Sequence, residues 1–197
     1  MVNYLARLGW SHGDDEIFSR EQFISWFNLD HLGKSAAEFD EAKLRWVNGQ
    51  HIKAMADEQL APLVAAQLAK RGITADARLP AICALFKDRC DTTVVLADWA
   101  VAFYADVHIK PEDLKQFVTE AVKPTLQTLS EKLSTTAWDK AAIAAAIKEV
   151  LTAHSLKMPQ SAMPVRVLLM GTPQTPSLDA IIALFSREEV LKRLQTA

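Results

Sequence analysis

Residues 136–154 decide the fold class, and they read Thr-Ala-Trp-Asp-Lys-Ala-Ala-Ile-Ala-Ala-Ala-Ile-Lys-Glu-Val-Leu-Thr-Ala-His. Alanine has the highest intrinsic helix propensity of the amino acids. The pair Thr136-x-x-Asp139 precedes the alanines as a helix start, so the stretch predicts a long helix over residues 137–154. The rest of the sequence shows no convincing alternation of apolar and polar residues and no Asn-Gly hairpin between β-branched runs. We therefore predict an all-α protein.

Helix signals recur on both sides of that stretch. Capping residues predict helix starts at Ser19 with Gln22, Asp40, Asp57, Asp91, Ser177, and Ser186 with Glu189. Further helices are predicted over residues 76–87 and from Met163-Pro164 to a stop at Gly171. The chain opens at Met1 directly in an amphipathic helix without a cap or leader, which is typical of an excised piece. These signals predict an irregular array of about ten short helices in two or three subdomains, and the absence of a repeat excludes a solenoid.

The segment Lys110-Pro111-Glu112-Asp113 marks the best internal boundary. Proline in the first turn and acidic residues near the positive end of the helix dipole favour a helix start there. His108-Ile109-Lys110 precedes this start as a connector. We therefore predict that one unit ends at residue 110 and that another begins at residue 111.

The composition is that of a globular protein, with 50% hydrophobic and 23% charged residues among 197. No apolar run approaches the roughly 20 residues that a membrane span needs. No basic stretch followed by an apolar core marks a signal peptide. We predict a cytoplasmic protein with no membrane partner.

Charge is unevenly distributed although the net charge is only −2. Residues 1–60 hold 6 basic and 10 acidic side chains, residues 61–142 hold 10 of each, and residues 143–197 hold 6 basic and 4 acidic ones. A nucleic-acid surface must therefore be local and must lie in the second or third segment.

Signatures of enzyme chemistry are missing. The sequence has no Gly-rich phosphate loop and no Gly-x-Ser-x-Gly turn, and its five histidines are scattered. Cys83 and Cys90 are too few for a metal site and are interpreted as small core residues. The acidic run from Asp14 to Glu16 is interpreted as a solvated loop. We predict neither catalytic residues nor a metal site in this chain.

Three motifs, in order, carry a resemblance to a known family. They are Val2-Asn3-Tyr4-Leu5-Ala6-Arg7-Leu8-Gly9-Trp10-Ser11, then Phe39-Asp40-x-x-Lys43-Leu44-Arg45-Trp46-Val47-Asn48-Gly49-x-x-Ile52, then Pro164-Val165-Arg166-Val167-Leu168-Leu169-Met170-Gly171 with Thr175-Pro176-Ser177-Leu178. Together they resemble the region downstream of the KMSKS-type loop in bacterial glutamyl-tRNA synthetases, over the whole chain.

The resemblance implies the C-terminal part of a class I synthetase that joins glutamate to its tRNA with ATP and Mg²⁺. The ATP-binding HIGH and KMSKS motifs of that family are absent here, so it implies a chain with no cofactor and no ligase activity of its own. Its implied partner is glutamate tRNA, not DNA, and the protein is expected to be monomeric. Residues 1–53 would finish a stem-contact domain, and residues 54–110 and 111–197 would be two anticodon-binding subdomains of the α-helix cage type.

Arg89 resembles the arginine that family members place at the third anticodon base. Glutamate tRNA has cytosine there, which offers only acceptors at O2 and N3, whereas the guanine of glutamine tRNA offers N–H donors. A guanidinium only donates, so it favours cytosine. The alternative is a surface arginine in an ion pair with Asp88 or Asp91.

Arg166 and the turn from Thr175 and Pro176 to Leu178 resemble the contacts of the family to the first two anticodon bases. The turn is expected to expose Leu178 for stacking on a base. The alternative is a helix-capping turn with Leu178 in the core.

Arg45 and Lys53 are candidates for contacts to the tRNA backbone on charge alone. Trp46 is expected to pack, because its helical neighbours are apolar, and His51 stands where the family suggests an aromatic residue. Two alternative functions come from other classes. A helical protein-interaction module predicts a large exposed apolar patch, and a small helical enzyme predicts a pocket of convergent titratable groups.

Overall fold

A computed structural model describes residues 1–34 and 36–195, apart from the side chains of Met158, Pro159 and Ser161. Within these residues the chain forms twelve α-helices. Their bounds are α1 Val2–Gly9, α2 Arg20–Trp26, α3 Glu41–Ala54, α4 Asp57–Ala69, α5 Leu79–Phe86, α6 Thr93–Val101, α7 Pro111–Phe117, α8 Lys123–Thr135, α9 Lys140–Ala153, α10 Met158–Met170, α11 Leu178–Leu184 and α12 Arg187–Gln195. A 3-10 helix, Lys87–Arg89, lies between α5 and α6. The predicted all-α class is confirmed.

Several predicted helix starts are confirmed at the level of single atoms. Ser19 and Gln22 form the reciprocal capping box of α2. The Asp40 carboxylate accepts a hydrogen bond from the Lys43 backbone N–H at 3.0 Å at the start of α3. Ser186 accepts one from the Glu189 N–H at 3.2 Å before α12. Each of these bonds spans three residues, so the local sequence suffices to predict it.

Three other predicted starts are wrong, and in two of them a neighbouring polar side chain provides the cap. The helix over the alanines begins at Lys140 instead of residue 137, since Asp139 accepts from the Ala142 N–H at 2.9 Å. The helix predicted after Asp91 is capped by Thr92, whose hydroxyl accepts from the Val95 N–H. The position predicted as the cap of α4, Asp57, is its first helical residue, and Ala56 stands at the N-cap.

Two predicted helices have different lengths. The helix expected over residues 76–87 spans Leu79–Phe86, because the Asp76 carboxylate accepts from the Arg78 N–H at 2.9 Å and forms a turn first. The helix expected to open at Met163-Pro164 begins at Met158 and contains Pro164. Its predicted end at Gly171 is confirmed, with φ of +71° in the left-handed region.

One continuous apolar core joins the helices on both sides of residue 110. It contains buried residues from α4, α5 and α6 together with residues from α8 to α12. Phe103 and Phe185 lie on opposite sides of the predicted boundary, and their rings stack with the centroids 4.4 Å apart. Phe185 is held in turn by Trp138, which donates to its carbonyl at 2.8 Å. The helices before and after Pro111 therefore pack against each other around a shared core.

A second, aromatic cluster holds the N-terminal helices. Trp10 is buried against Phe18, Phe23 and Phe27. Asn3 ties α1 to its surroundings: its amide donates to the Glu16 carbonyl at 3.0 Å, and its side-chain oxygen lies 2.9 Å from His51 Nε2. Helix α3 is thereby fixed against α1.

Two interpretations of single residues turn out differently. Trp46 does not pack in the core: it is 44% exposed, with the Lys43 ammonium 4.4 Å from its ring centroid. Cys83 and Cys90 are buried free thiols, as predicted, and burial raises their pKa values to about 11 and about 12. The structure describes no helix with the length and apolarity to cross a membrane.

Candidate nucleic-acid interface

Arg89 stands on a short turn whose flanking residues are buried. The 3-10 helix follows Phe86, which is fully buried, and Cys90 is buried on its other side. The Cys90 N–H donates to the Lys87 carbonyl at 3.2 Å and closes the turn. We call residues 87–91 the Arg89 turn. Because Phe86 and Cys90 point into the core, Arg89 between them is directed to solvent.

The guanidinium of Arg89 has no hydrogen bond or ion pair with any residue that the structure describes. The alternative prediction of an ion pair with Asp88 or Asp91 is not supported, since Asp91 pairs with Arg45 at 3.3 Å. A guanidinium carries five N–H donors and no acceptor. These donors are therefore available to a ligand that offers acceptor atoms.

Arg166, in α10, is near enough to Arg89 to be affected by its charge, although the two are far apart in sequence. Its side chain is half-buried, and its Nη2 donates to the Pro176 carbonyl at 3.4 Å. Its Nε is buried and has no hydrogen-bond partner within residues 1–34 and 36–195. Burial lowers the pKa of Arg166, and the positive charge of Arg89 lowers it further. Two cations without a shared anion favour a ligand rich in acceptors or negative charge.

The turn from Thr175 to Leu178 supports Arg166 instead of offering a side chain to a base. Thr175 is buried, and its hydroxyl donates at 3.0 Å to the same Pro176 carbonyl that Arg166 contacts. Leu178 is only 4% exposed and lies in the core. The expected exposure of Leu178 is wrong, because Leu178, Ile181 and Ile182 form the buried face of α11. The core position of Leu178 agrees with the alternative, although Ser177, the predicted cap, stands at the N-cap of α11 without a side-chain capping hydrogen bond.

Gly171 fixes where this turn begins. Its φ is +71°, and a Cβ built there would lie 2.9 Å from the His108 carbonyl oxygen. A side chain at this position would therefore meet both backbone strain and a backbone atom. The glycine lets the end of α10 pack directly on the connector before Pro111.

Arg45 and Lys53, the candidates for contacts to the tRNA backbone, differ in their surroundings. Arg45 forms ion pairs with Glu41 at 3.0 Å and with Asp91 at 3.3 Å, and the Glu41 hydrogen bond is the main cause of its raised pKa. Its charge is therefore already shared within the protein. Lys53 is exposed near the end of α3 and is paired with no carboxylate in the described part of the chain. Of the two, Lys53 is the better candidate for a phosphate contact.

Asn48 and Lys87 also contribute to the site, because they contact the Arg89 turn or hold it. Nothing in the sequence indicated these contacts. The Asn48 amide donates to the Asp91 carbonyl at 2.6 Å. The Lys87 ammonium donates to the Met55 carbonyl at 2.9 Å and pairs with Asp57 at 2.8 Å. These contacts join residues that are 30 or more positions apart, so no local pattern predicts them.

A cavity of about 660 Å³ lies between the segment 76–106 and α11 and α12. Its carboxylates are paired: Asp76 lies 2.8 Å from Arg78, and Glu189 lies 2.7 Å from Arg193. Hydrogen bonds from these arginines lower the pKa values of both carboxyls, and burial raises the pKa of Tyr104 to about 12. None of these three groups is poised to exchange a proton near neutral pH, which argues against the small-enzyme alternative.

Comparison with known proteins identifies the region that carries Arg89 and Arg166. The family model of the anticodon binding domain matches residues 54–197. A glutamate–tRNA ligase of Albidiferax ferrireducens is 71% identical over 196 residues, which is 100% of this chain and 42% of that protein. One of Paracidovorax citrulli is 67% identical over 201 residues, again 42% of its length. The chain thus spans about two fifths of these curated relatives.

Solved structures agree with the sequence comparisons. A glutamate tRNA ligase from Elizabethkingia meningosepticum, in complex with its amino acid, superposes with a TM-score of 0.91 at 25% identity. The glutamate-tRNA synthetase from Elizabethkingia anophelis superposes with a TM-score of 0.86 at 25% identity. Each comparison covers 99% of this chain and 39% of the other.

Proposed function

This chain belongs to the anticodon binding domain family, and from that membership we propose that it binds the anticodon loop of a tRNA at Arg89 and Arg166. The observation that carries the proposal is the proximity of two guanidinium groups, one with no partner in the described chain and one with a buried, unpartnered Nε. Unstacked anticodon bases offer acceptor atoms on their pairing edges, which suits such donors.

The tRNA partner that we propose is glutamate tRNA. The relatives and the solved structures that match this chain carry the name of the glutamate ligase or synthetase. Arg89 would contact the third anticodon base and favour cytosine, since its donors match O2 and N3 of cytosine and oppose the N–H donors of guanine. Arg166, held by the Pro176 carbonyl, would contact one of the first two bases. Thr175 and Pro176 would act by orienting Arg166.

The ligase activity would belong to the longer protein. We propose that this protein joins glutamate to tRNA with ATP and Mg²⁺, and that this chain contributes only tRNA binding. The described residues contain no group of three or more His, Cys, Asp or Glu that could hold a metal ion. We propose that the magnesium site of the ligase lies in the remainder of the longer protein.

The division of the chain follows the same proposal. Residues 1–53 would finish a stem-contact domain, and residues 54–110 and 111–197 would be the two anticodon-binding subdomains, in a monomeric cytoplasmic protein with no DNA partner. The family match starts at residue 54, which supports the first boundary. The start of α7 at Pro111 supports the second.

The protein-interaction alternative predicted exposed apolar side chains. Those described are concentrated in the N-terminal segment, where they are Met1, Val2, Leu5, Ile24, Phe27, Leu29, Leu32, Phe39 and Trp46. The tRNA proposal accounts for them as surface that the remainder of a stem-contact domain covers. The names of the relatives favour tRNA binding over this alternative.

A titration with glutamate tRNA, glutamine tRNA and an unrelated tRNA, at two salt concentrations, tests the proposal. We expect preferential binding of glutamate tRNA at both concentrations and weaker binding of all three at high salt. Equal affinity for the three tRNAs would reduce the interaction to nonspecific electrostatics. Absence of binding would refute the proposal for this chain.

A further inference from the structure

The Arg89 turn is held from outside the region that matches the anticodon binding domain family. Helix α3 ends before Met55, and the family match starts at residue 54. Asn48, in α3, donates from its side-chain amide to the Asp91 carbonyl at 2.6 Å. Asp91 is the last residue of the Arg89 turn. The orientation of one end of the turn therefore depends on a side chain of the N-terminal segment.

Gly49 allows α3 to approach the turn closely. A Cβ built at Gly49 would lie 3.5 Å from Asp91 Cα and 3.5 Å from the Cys90 carbonyl oxygen. These are ordinary van der Waals distances, so a methyl group fits without moving the turn. A larger side chain would have to displace the backbone of Cys90 and Asp91. The helix and the turn thus approach closely beside the Asn48 hydrogen bond, with room for no more than a methyl group at Gly49.

Lys87 fixes the other end of the turn. Its ammonium donates to the carbonyl of Met55, the residue that follows the end of α3, at 2.9 Å. It also pairs with Asp57 at 2.8 Å, at the start of α4. Both ends of the turn are therefore tied to α3 or to the connection from α3 to α4. Arg89 lies between the two attachments and is itself attached to neither.

A donor that discriminates between two bases needs a defined position. An arginine side chain has many rotamers. Its backbone must be held in a defined position before the N–H donors of its guanidinium group can match the edge of a base. Fixing the backbone in advance also reduces the entropy that binding must overcome. We propose that Asn48 and Lys87 are positioning residues for base recognition by Arg89, so that α3 and its connection to α4 control anticodon discrimination. This inference rests on the proposed contact of Arg89 with the third anticodon base.

The substitution Asn48→Asp tests the inference with little change in volume. A carboxylate only accepts hydrogen bonds, so it loses the bond to Asp91 and faces the carbonyl oxygen unfavourably. Asn28→Asp is the matched control, because it adds the same charge within residues 1–53 at a site whose side-chain oxygen already accepts from the Asp30 N–H and whose amide makes only a long hydrogen bond, 3.5 Å, to the Trp26 carbonyl. Gly49→Ala is a second control that keeps the Asn48 bond. Lys87→Met removes the attachment at the other end and keeps an apolar stem of similar length.

Two readouts keep the inference separate from the function on which it rests. The first is amide hydrogen exchange of residues 88–92 in the protein without RNA. The second is the affinity for two glutamate tRNA transcripts that differ only in the third anticodon base, C or G. Thermal unfolding checks that each variant is folded, and Asn48→Ala, which has no side-chain donor, replaces Asn48→Asp if that variant is not folded.

We expect Asn48→Asp and Lys87→Met to accelerate exchange in the Arg89 turn and to reduce the preference for C over G about fivefold, as the loss of one hydrogen bond would. The two controls should leave both readouts within about twofold, the error of such a comparison. Unchanged exchange, or an equal loss of affinity for both transcripts, would overturn the inference. If Arg89→Gln leaves the preference for C intact, the proposed contact of Arg89 with the third base is refuted. The exchange data are independent of that result, because they report whether Asn48 and Lys87 hold the turn in the protein without RNA.

Discussion

Burial lowers the pKa of Arg166, in α10, and the positive charge of Arg89, on the turn after α5, lowers it further, so the two guanidinium groups are within electrostatic range of each other. Neither group has a carboxylate partner in the described chain. Within the described residues Arg166 donates a hydrogen bond to the Pro176 carbonyl, and its Nε is buried without a hydrogen-bond partner. A buried donor without an acceptor and the repulsion between two like charges both raise the free energy of the unbound protein. A ligand whose acceptor atoms face both cations would lower it.

Replacing Arg166 by Met should separate binding from stability. The methionine keeps the apolar stem and removes a half-buried charge that Arg89 repels. We expect glutamate tRNA to bind about tenfold or more weakly, the effect of one charge-assisted hydrogen bond. The midpoint of thermal unfolding should stay the same or rise. A clear fall in that midpoint together with unchanged tRNA binding would show that Arg166 is structural.

Salt dependence should distinguish base contacts from phosphate contacts. For a single-stranded site, each phosphate neutralised by the protein adds about −0.7 to the slope of log K against log salt. Arg89→Gln should weaken binding of glutamate tRNA with little change in this slope. Lys53→Gln should reduce the slope by about 0.7 if Lys53 contacts a phosphate. An unchanged slope and affinity for Lys53→Gln would remove this residue from the interface.

Gly171 should tolerate alanine less well than Gly72 does. Both glycines have φ near +70°, where an alanine costs roughly 1–2 kcal/mol. A Cβ at Gly72 would meet open space, whereas one at Gly171 would lie 2.9 Å from the His108 carbonyl oxygen. We expect Gly171→Ala to lower the free energy of unfolding by at least about 1 kcal/mol more than Gly72→Ala, as overpacking does. Equal losses in denaturant unfolding would mean that the connector moves away freely.

His51 should make the stability of the N-terminal helices depend on pH. Burial lowers the pKa of His51, so the folded state binds its proton less readily than the unfolded chain does. A base with a depressed pKa contributes stability above its unfolded pKa of about 6.5, and this contribution is lost as the pH falls. The free energy of unfolding should therefore decrease between pH 7.5 and pH 5.

His51→Gln is the variant that isolates this effect. Its amide can still donate to the Asn3 side-chain oxygen, which lies 2.9 Å from His51 Nε2, but it does not titrate. We expect a smaller decrease in the free energy of unfolding over the same pH range. An equal decrease in the two proteins would assign the pH dependence to other groups.

Local signals in the sequence were sufficient for the fold class and for several helix ends. The Ser19 box, the Asp40 cap and the left-handed Gly171 each depend on residues within a few positions. They failed where two polar residues compete for one cap, as Thr136 and Asp139 do. In that case the geometry of the folded turn selects Asp139, and the sequence contains both possibilities.

The candidate site was predicted only in part. The resemblance named Arg89 and Arg166, but their proximity and the bond of Asn48 to Asp91 depend on tertiary packing between distant segments. Leu178 shows the opposite case. Its spacing from Ile181 and Ile182 is that of a buried helical face, so the periodicity of the sequence was a better guide than the expected exposure of the turn.

The contact of Arg89 with the third anticodon base is tested most directly by two glutamate tRNA transcripts that differ only in that base, C or G. Each is titrated with the wild-type protein and with Arg89→Gln. We predict that the wild-type protein prefers C, and that Arg89→Gln reduces this preference by the equivalent of about 1–3 kcal/mol, the discrimination of one good base contact. A variant that keeps the full preference for C would contradict the assignment of Arg89.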